Sequence, residues 1–326
     1  MRKVVIIGAG HVGSHCGYAL AHSGIASEIV LVDVDKDKAH AQALDIADSV
    51  SFCERETVVR DGDYKDCEGA ALVVVAIGEA RKPGQTRLDM LGRSVEMLKE
   101  LLEQLKPYKI PGIVVTITNP ADIVADYVRK GLGLERNRVF GTGTLLDTAR
   151  LIRTLSEESG VGRRSIQAYS LGEHGDSSMI PFSSVTIGGL PFDAYDISKE
   201  KVLEATRQIG MTIIEGKKST EFGIGRALTE MAACILRDEK KIMPASVLLQ
   251  GEYGQHDVHC GVPCLIGKNG IEKIIELPLT EEEQEMEQAE QALKATLNRE
   301  RRKLLLALVN AQSLWQERTS LESFVA

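Results

Sequence analysis

The stretch "KVVIIGAGHVG" (residues 3–13) runs from a β-branched apolar segment into three glycines in the order G-x-G-x-x-G. A strand that stops at glycine and yields to a helix leaves the first amides of that helix unpaired, facing whatever anion lies beyond them. In this spacing Gly8 permits the tight turn, Gly10 lets backbone approach a pyrophosphate, and Gly13 lets the helix lie close on its strand. A second β-branched run, "IVLVD" (residues 29–33), completes a βαβ unit and ends on Asp33, 20 residues after Gly13, where a carboxylate accepts ribose hydroxyls. The glycines alone are a weak signal; strand, helix and acid in this order make a strong one for a dinucleotide. Asp33 repels a 2′-phosphate and "VDVDK" offers no arginine to receive one, so the expected cofactor is NAD rather than NADP.

Further strands are expected at "TVVRD", "ALVVVAIG" and "IVVTIT". The last two are so continuously apolar that both faces must be covered, as in a parallel sheet with helices on each side. A helix from about Leu88 to Lys106 links them, with Leu91, Val95, Leu98 and Leu102 on one stripe. Past "VFGTG" (139–143) the pattern changes to hairpin-like strands such as "PFSSVTIGGLPF", long helices near 198–217 and 222–238, and a charged amphipathic helix from about Thr280. The fold expected is α/β: a Rossmann-type doubly wound parallel sheet over residues 1–141, then an α+β substrate and catalytic domain over residues 142–326 with an extended C-terminal helix.

A chain of 326 residues can bury a large core, and 43% hydrophobic with 26% charged residues is ordinary globular composition. A net charge of −8 argues against nucleic acid or an anionic membrane as partner. The apolar opening breaks at Gly8 with no cleavage signal after it, and no later run reaches the ~18 apolar residues of a membrane span. The six cysteines are scattered and are expected to be reduced thiols of a cytoplasmic protein. One cluster, "HDVHCGVPC", brings His256, His259, Cys260 and Cys264 together, but its spacing matches no zinc motif and it reads as a turn leading into a strand, so no metal is expected.

Two segments carry candidate chemistry. His11, His15, His22 and His40 lie in or beside the first two helices, whereas His174 sits in "LGEHGDSS", flanked by glycine at the end of the apolar stretch "IQAYSL". That setting presents an imidazole, a physiological acid or base, to a cleft. The loop "GEARKPGQTRLDM" (78–90) sets Arg81, Lys82 and Arg87 among Gly, Pro and Thr directly after a strand. In an acidic chain such clustered positive charge implies a local anionic target, and a small anion suits it.

Taken with these segments, "TNPAD", "GTGTLLDTAR", "KKSTEFGIG" and "YGQHDVHCGVP" follow in unbroken order to about residue 300, and the sequence resembles the NAD-dependent L-lactate and malate dehydrogenases, in their lactate-dehydrogenase-like branch. The resemblance implies that His174 donates and accepts the proton while Asp147 orients its ring and stabilises the imidazolium. It further implies that Arg150 clamps the substrate carboxylate and that Asn119 bonds near the substrate carbonyl and the nicotinamide. Asp147 and Arg150 are three residues apart, on one face of a helix. The basic loop becomes a lid whose Arg87 polarises the reacting carbonyl, with Arg81 at the position that reads the substrate side chain and Thr220 beside the pocket. Gly8, Gly10, Gly13, Asp33, Gly78 and Asn119 are assigned to the cofactor. The partner implied is a small 2-oxo or 2-hydroxy acid, in a homotetramer or homodimer.

The substrate stays open between pyruvate and oxaloacetate. Arg81 stands where lactate dehydrogenases usually have glutamine and suits a second carboxylate; "LGEHGDSS", Thr220 and "GQHDVHCGVP" look closer to the lactate enzymes. The positions that bind fructose 1,6-bisphosphate in activated relatives are Ile152 and Gln167 here, so no activation by that sugar is expected; Arg153 and Arg163 nearby read as a solvated helix face. The extension "LLLALVNAQSLWQERTSLESFVA" with Trp315 reads as an amphipathic helix packing on its own or a neighbouring subunit. Two rivals remain: an NAD-dependent glycosidase of related fold, which needs a metal, and a non-enzymatic NAD-binding sensor. The lid arginines with Asp147, Arg150 and His174 argue against both.

Overall fold

Residues 2–78, 87–174 and 178–285 are described by a computed structural model, the side chains of 87–93 excepted. Arg81, the Arg87 side chain and the extension carrying Trp315 lie outside the described residues.

Six strands form the parallel part of the main sheet: β1 (Lys3–Ile7), β2 (Glu28–Val32), β3 (Val58–Asp61), β4 (Leu72–Val75), β5 (Ile113–Thr116) and β6 (Val139–Gly141), in the spatial order β3-β2-β1-β4-β5-β6. This is the doubly wound Rossmann order. Strand residues alternate between two cores: Val4, Ile6, Ile29, Leu31, Leu72 and Val74 in one, and Val5, Ile7, Val30, Val32, Val73 and Val75 in the other. The period of two thus explains the unbroken apolar runs, since each face meets its own layer of helices. Helices α1 (His11–Ser23), α2 (Lys36–Ser49), α3 (Arg87–Leu105) and α4 (Ala121–Leu132) connect the strands. On α3, Val95, Leu98 and Leu102 of the expected stripe are buried, together with Leu101 and Leu105.

The second half contributes α5 (Leu145–Ser159), α6 (Lys199–Lys217) and α7 (Phe222–Arg237), with three short strands β7 (Ile166–Gln167), β8 (Thr186–Ile187) and β9 (Leu190–Pro191) in a sheet of their own. The expected hairpin is β8–β9, turned through Gly188 and Gly189. The long strands β10 (Lys241–Gln250), β11 (His256–Gly267) and β12 (Gly270–Ile274) add antiparallel to β6 and extend the main sheet to nine strands.

One expectation is corrected here. "HDVHCGVPC" is no turn: all of it belongs to β11. Its near-continuous burial, which disguised it, arises because α7 packs on one face and α4 on the other. Cys260 and Cys264 enter the core under α7, while His259 faces Asp126 of α4 at 3.7 Å. Thiols and imidazole therefore leave opposite faces of one strand. All six cysteines are free thiols, and burial pushes those of Cys16 and Cys67 up to about 12. Among the described residues, no helix is long and apolar enough to cross a membrane.

Candidate active site

The cofactor side is built by the β1–α1 turn. Gly8 has φ +105°, and a Cβ there would lie 2.4 Å from the Ala76 carbonyl oxygen of β4's end; a Cβ on Gly13 would lie 1.8 Å from the Gly8 carbonyl oxygen. Those two glycines are demanded by the fold itself. Gly10 is not: its nearest neighbour would be the Lys38 ammonium at 3.9 Å, so the space before it is open. Gly10 caps α1 without a side-chain hydrogen bond, leaving the first-turn amides available to an anion. Asp33 Oδ2 accepts from the Ala9 amide at 2.7 Å and Oδ1 from the Asp35 amide at 3.0 Å. Carboxylate lone pairs remain for ribose hydroxyls. Open amides, an open Gly10 and a fixed acid at this spacing fit a dinucleotide.

Sequence reading missed Lys38, whose ammonium lies 3.6 Å from Asp33 Oδ2. Nothing local in the sequence marks it out; the Asp35 cap, accepting from the Lys38 amide at 3.0 Å, sets the first turn of α2 beside the cradle. Gly78 and Asn119 follow the C-terminal ends of the adjacent strands β4 and β5, where Thr118 Oγ1 donates to the Ile77 carbonyl at 2.7 Å and ties the two ends together. A Cβ on Gly78 would meet open space. The Asn119–Pro120 peptide is cis.

The candidate reacting side centres on Asp147, buried in the first turn of α5. His174 Nδ1 lies 2.6 Å from Asp147 Oδ2, and Arg150 Nη1 donates to Asp147 Oδ1 at 3.0 Å. A carboxylate only accepts, so Nδ1 carries the proton and Nε2 is left for a reaction partner. His174 is carried by a short ladder: Leu171 pairs with Met179, and Gly172 with Gly261 of β11. Burial works to lower the His174 pKa, but the hydrogen bond and charge of Asp147 outweigh it; Arg150 opposes, Asp122 assists, and the net result lies above the ordinary imidazole value.

His174 shares a cleft with Asn119, Asp122, Ile123 and Glu173. Asp122, at the start of α4, is buried and accepts the hydroxyl of Ser246 from β10. Sequence reading did not single out either residue. An acid in a first helical turn passes for a dipole partner, and Ser246 lies 124 residues away with no local mark. Thr220 lies half-buried between α6 and α7. Ile152 packs against the third apolar core, and Gln167 is exposed on β7.

The chain matches two family models: lactate/malate dehydrogenase, NAD binding domain, over residues 2–141, and lactate/malate dehydrogenase, alpha/beta C-terminal domain, over residues 144–303. It is 41% identical over 292 residues to L-lactate dehydrogenase 3 of Bacillus cereus, covering 87% of this chain and 92% of that one. It is 42% identical over 291 residues to L-lactate dehydrogenase of Fusobacterium nucleatum, covering 86% and 91%. The crystal structure of the minor L-lactate dehydrogenase from Enterococcus mundtii with ligands bound superposes with a TM-score of 0.87 at 37% identity, covering 91% of this chain and 98% of that one. With a dinucleotide cradle and a carboxylate-held imidazole on one scaffold, this chain belongs to the lactate/malate dehydrogenase family and is an NAD-dependent 2-hydroxy-acid dehydrogenase.

Proposed function

We propose that the chain interconverts pyruvate and L-lactate. The observation that carries the chemistry is the Asp147 carboxylate shared between His174 and Arg150, one oxygen to each. Such sharing points a proton donor and a carboxylate clamp into one site at a fixed separation.

In the direction of reduction, Arg150 binds the substrate carboxylate; its planar guanidinium matches that geometry as an ammonium cannot. His174 enters as the imidazolium, which Asp147 stabilises, and Nε2 transfers its proton to the carbonyl oxygen. Arg87, the first residue of α3, is assigned to polarising that carbonyl. Gly8, Gly10, Gly13 and Asp33, with Gly78 and Asn119, would hold NADH, which when bound would supply the hydride that the carbonyl carbon receives. One C–H and one O–H bond form, the C=O π bond is lost, and His174 is left neutral, as the reverse reaction requires. Thr220 is assigned to the wall of the substrate pocket. The two family-model segments, 2–141 and 144–303, agree with a cofactor unit followed by a substrate unit.

Pyruvate is favoured by likeness along nearly the whole chain to proteins named L-lactate dehydrogenases. A second reading, oxaloacetate and L-malate, is favoured by Arg81. A buried arginine facing the pyruvate methyl would lack a counter-charge, at roughly 3 kcal/mol on the scale of broken buried pairs; the second carboxylate of oxaloacetate would supply one. Steady-state kcat/KM for pyruvate and oxaloacetate, in the natural protein and in Arg81→Gln, separates the readings. A pyruvate preference indifferent to the substitution supports lactate; an oxaloacetate preference that inverts in Arg81→Gln overturns it in favour of malate.

A further inference from the structure

The corner between α6 and α7, residues 218–221, joins two helices that pack against opposite sides of the proposed site. On one side Gly210 of α6 lies against Arg150, where a Cβ would come within 3.3 Å of Nη1. On the other, α7 crosses the cofactor helix α1 so closely that a Cβ on Gly225 would lie 3.2 Å from the His15 carbonyl oxygen. Glu221 stands at that crossing with its side chain 11% exposed. One oxygen accepts the Ser219 hydroxyl; the other lies 2.9 Å from the Lys217 ammonium and 3.7 Å from His15 Nε2. The Ser219 and Lys217 hydrogen bonds hold this carboxyl down at about 2, so it is ionised throughout the working range.

His15 is fixed from its other side. Its Nδ1 donates to the carbonyl of His11, the first residue of α1, at 2.7 Å, which leaves Nε2 facing the carboxylate. Its ring stands edge-on to Phe222 at 5.0 Å, and the Lys217 ammonium lies 4.1 Å from the Phe222 centroid. A chain of contacts thus runs from His11 at the start of α1 through His15 and Glu221 to Ser219, the neighbour of Thr220 in sequence.

We propose that Glu221 is a positioning residue for the substrate pocket, its carboxylate tying the corner that carries Thr220 to the cofactor helix through His15. The inference rests on the reading of Thr220 as a pocket residue. With Nδ1 committed to the His11 carbonyl, Nε2 donates to Glu221 only in the imidazolium form; in that form the pair joins a largely covered carboxylate to a ring 30% exposed, across two elements that serve different ligands.

The test uses the full-length protein with whichever of pyruvate and oxaloacetate gives the higher kcat/KM. In Glu221→Ala the substrate KM should rise roughly fivefold while kcat stays within about twofold, a typical coupling between sites. NADH affinity without substrate, read by cofactor fluorescence, should hold. Glu221→Gln, which retains an acceptor for Ser219, should recover part of the loss. His15→Ala combined with Glu221→Ala should be no worse than Glu221→Ala alone. An unmoved KM in Glu221→Ala while Thr220→Ala raises it overturns the proposal and spares the pocket reading. An unmoved KM in Thr220→Ala overturns that reading and the proposal with it. A parallel loss of kcat, NADH affinity and melting temperature in both Glu221→Ala and Glu221→Gln makes the residue merely structural and overturns the proposal as well.

Discussion

Asp147 serves two partners with its two oxygens, and the pH behaviour of the enzyme follows from that division. On the proposed mechanism reduction needs His174 charged, so its rate should fall as pH rises through the elevated His174 pKa, while oxidation of the hydroxy acid should rise over the same interval. In Asp147→Asn the raising charge of Asp147 vanishes while burial and the Arg150 charge still lower the pKa, with Asp122 alone assisting. The fall should then move to lower pH, and reduction at neutral pH should drop about 10²-fold or more; pH–rate profiles in both directions check this. Stability obeys the same sign. The His174–Asp147 pair contributes fully below the ordinary imidazole value, and its contribution is lost as pH rises through the raised folded value. This residue-scale chemistry was partly legible in advance: "LDTAR" and "GEHGDS" carried the dyad through resemblance. Asp122 stayed hidden because a helix-start acid has an ordinary explanation, and its effect on His174 exists only where α4 meets the His174 loop.

At the scale of elements, the β1–α1 turn separates glycines that the chain needs from one, Gly10, that the proposed cofactor site needs. A methyl on Gly13 would collide with the Gly8 carbonyl, and backbone cannot step aside as a flexible side chain can. Gly13→Ala should destabilise the fold by about 1–3 kcal/mol, the usual cost of overpacking. A methyl on Gly10 meets nothing closer than the Lys38 ammonium. Gly10→Ala should therefore keep its melting temperature and lose NADH affinity, because the methyl occupies the approach of the pyrophosphate. Paired thermal melts and NADH titrations check both outcomes; equal losses of stability in the two variants would remove the distinction. The elements of this βαβ unit could be read directly, since strand, turn and helix signals lie within one short stretch. Strand β11 could not, because burial on both faces erases the alternation that marks a strand.

At the scale of the whole molecule, regulation becomes a question of what surrounds α5. Ile152 is packed into the third apolar core and Gln167 carries no charge, so the positions that hold a sugar bisphosphate in activated relatives offer it no cationic pair. Fructose 1,6-bisphosphate should leave the half-saturating substrate concentration unchanged; a large drop on adding it would contradict this. The sequence by itself determined the nucleotide-binding βαβ unit and the NAD cofactor, and offered Asp33 and the dyad as candidates, because each rests on residue types whose chemistry or spacing is local. Tertiary structure decided the rest. It set the order β3-β2-β1-β4-β5-β6, the antiparallel extension through β10 to β12, the Ser246–Asp122 contact across 124 residues and the Glu221–His15 crossing. These depend on which surfaces bury against one another, and no periodicity within a single segment encodes the partner it will meet.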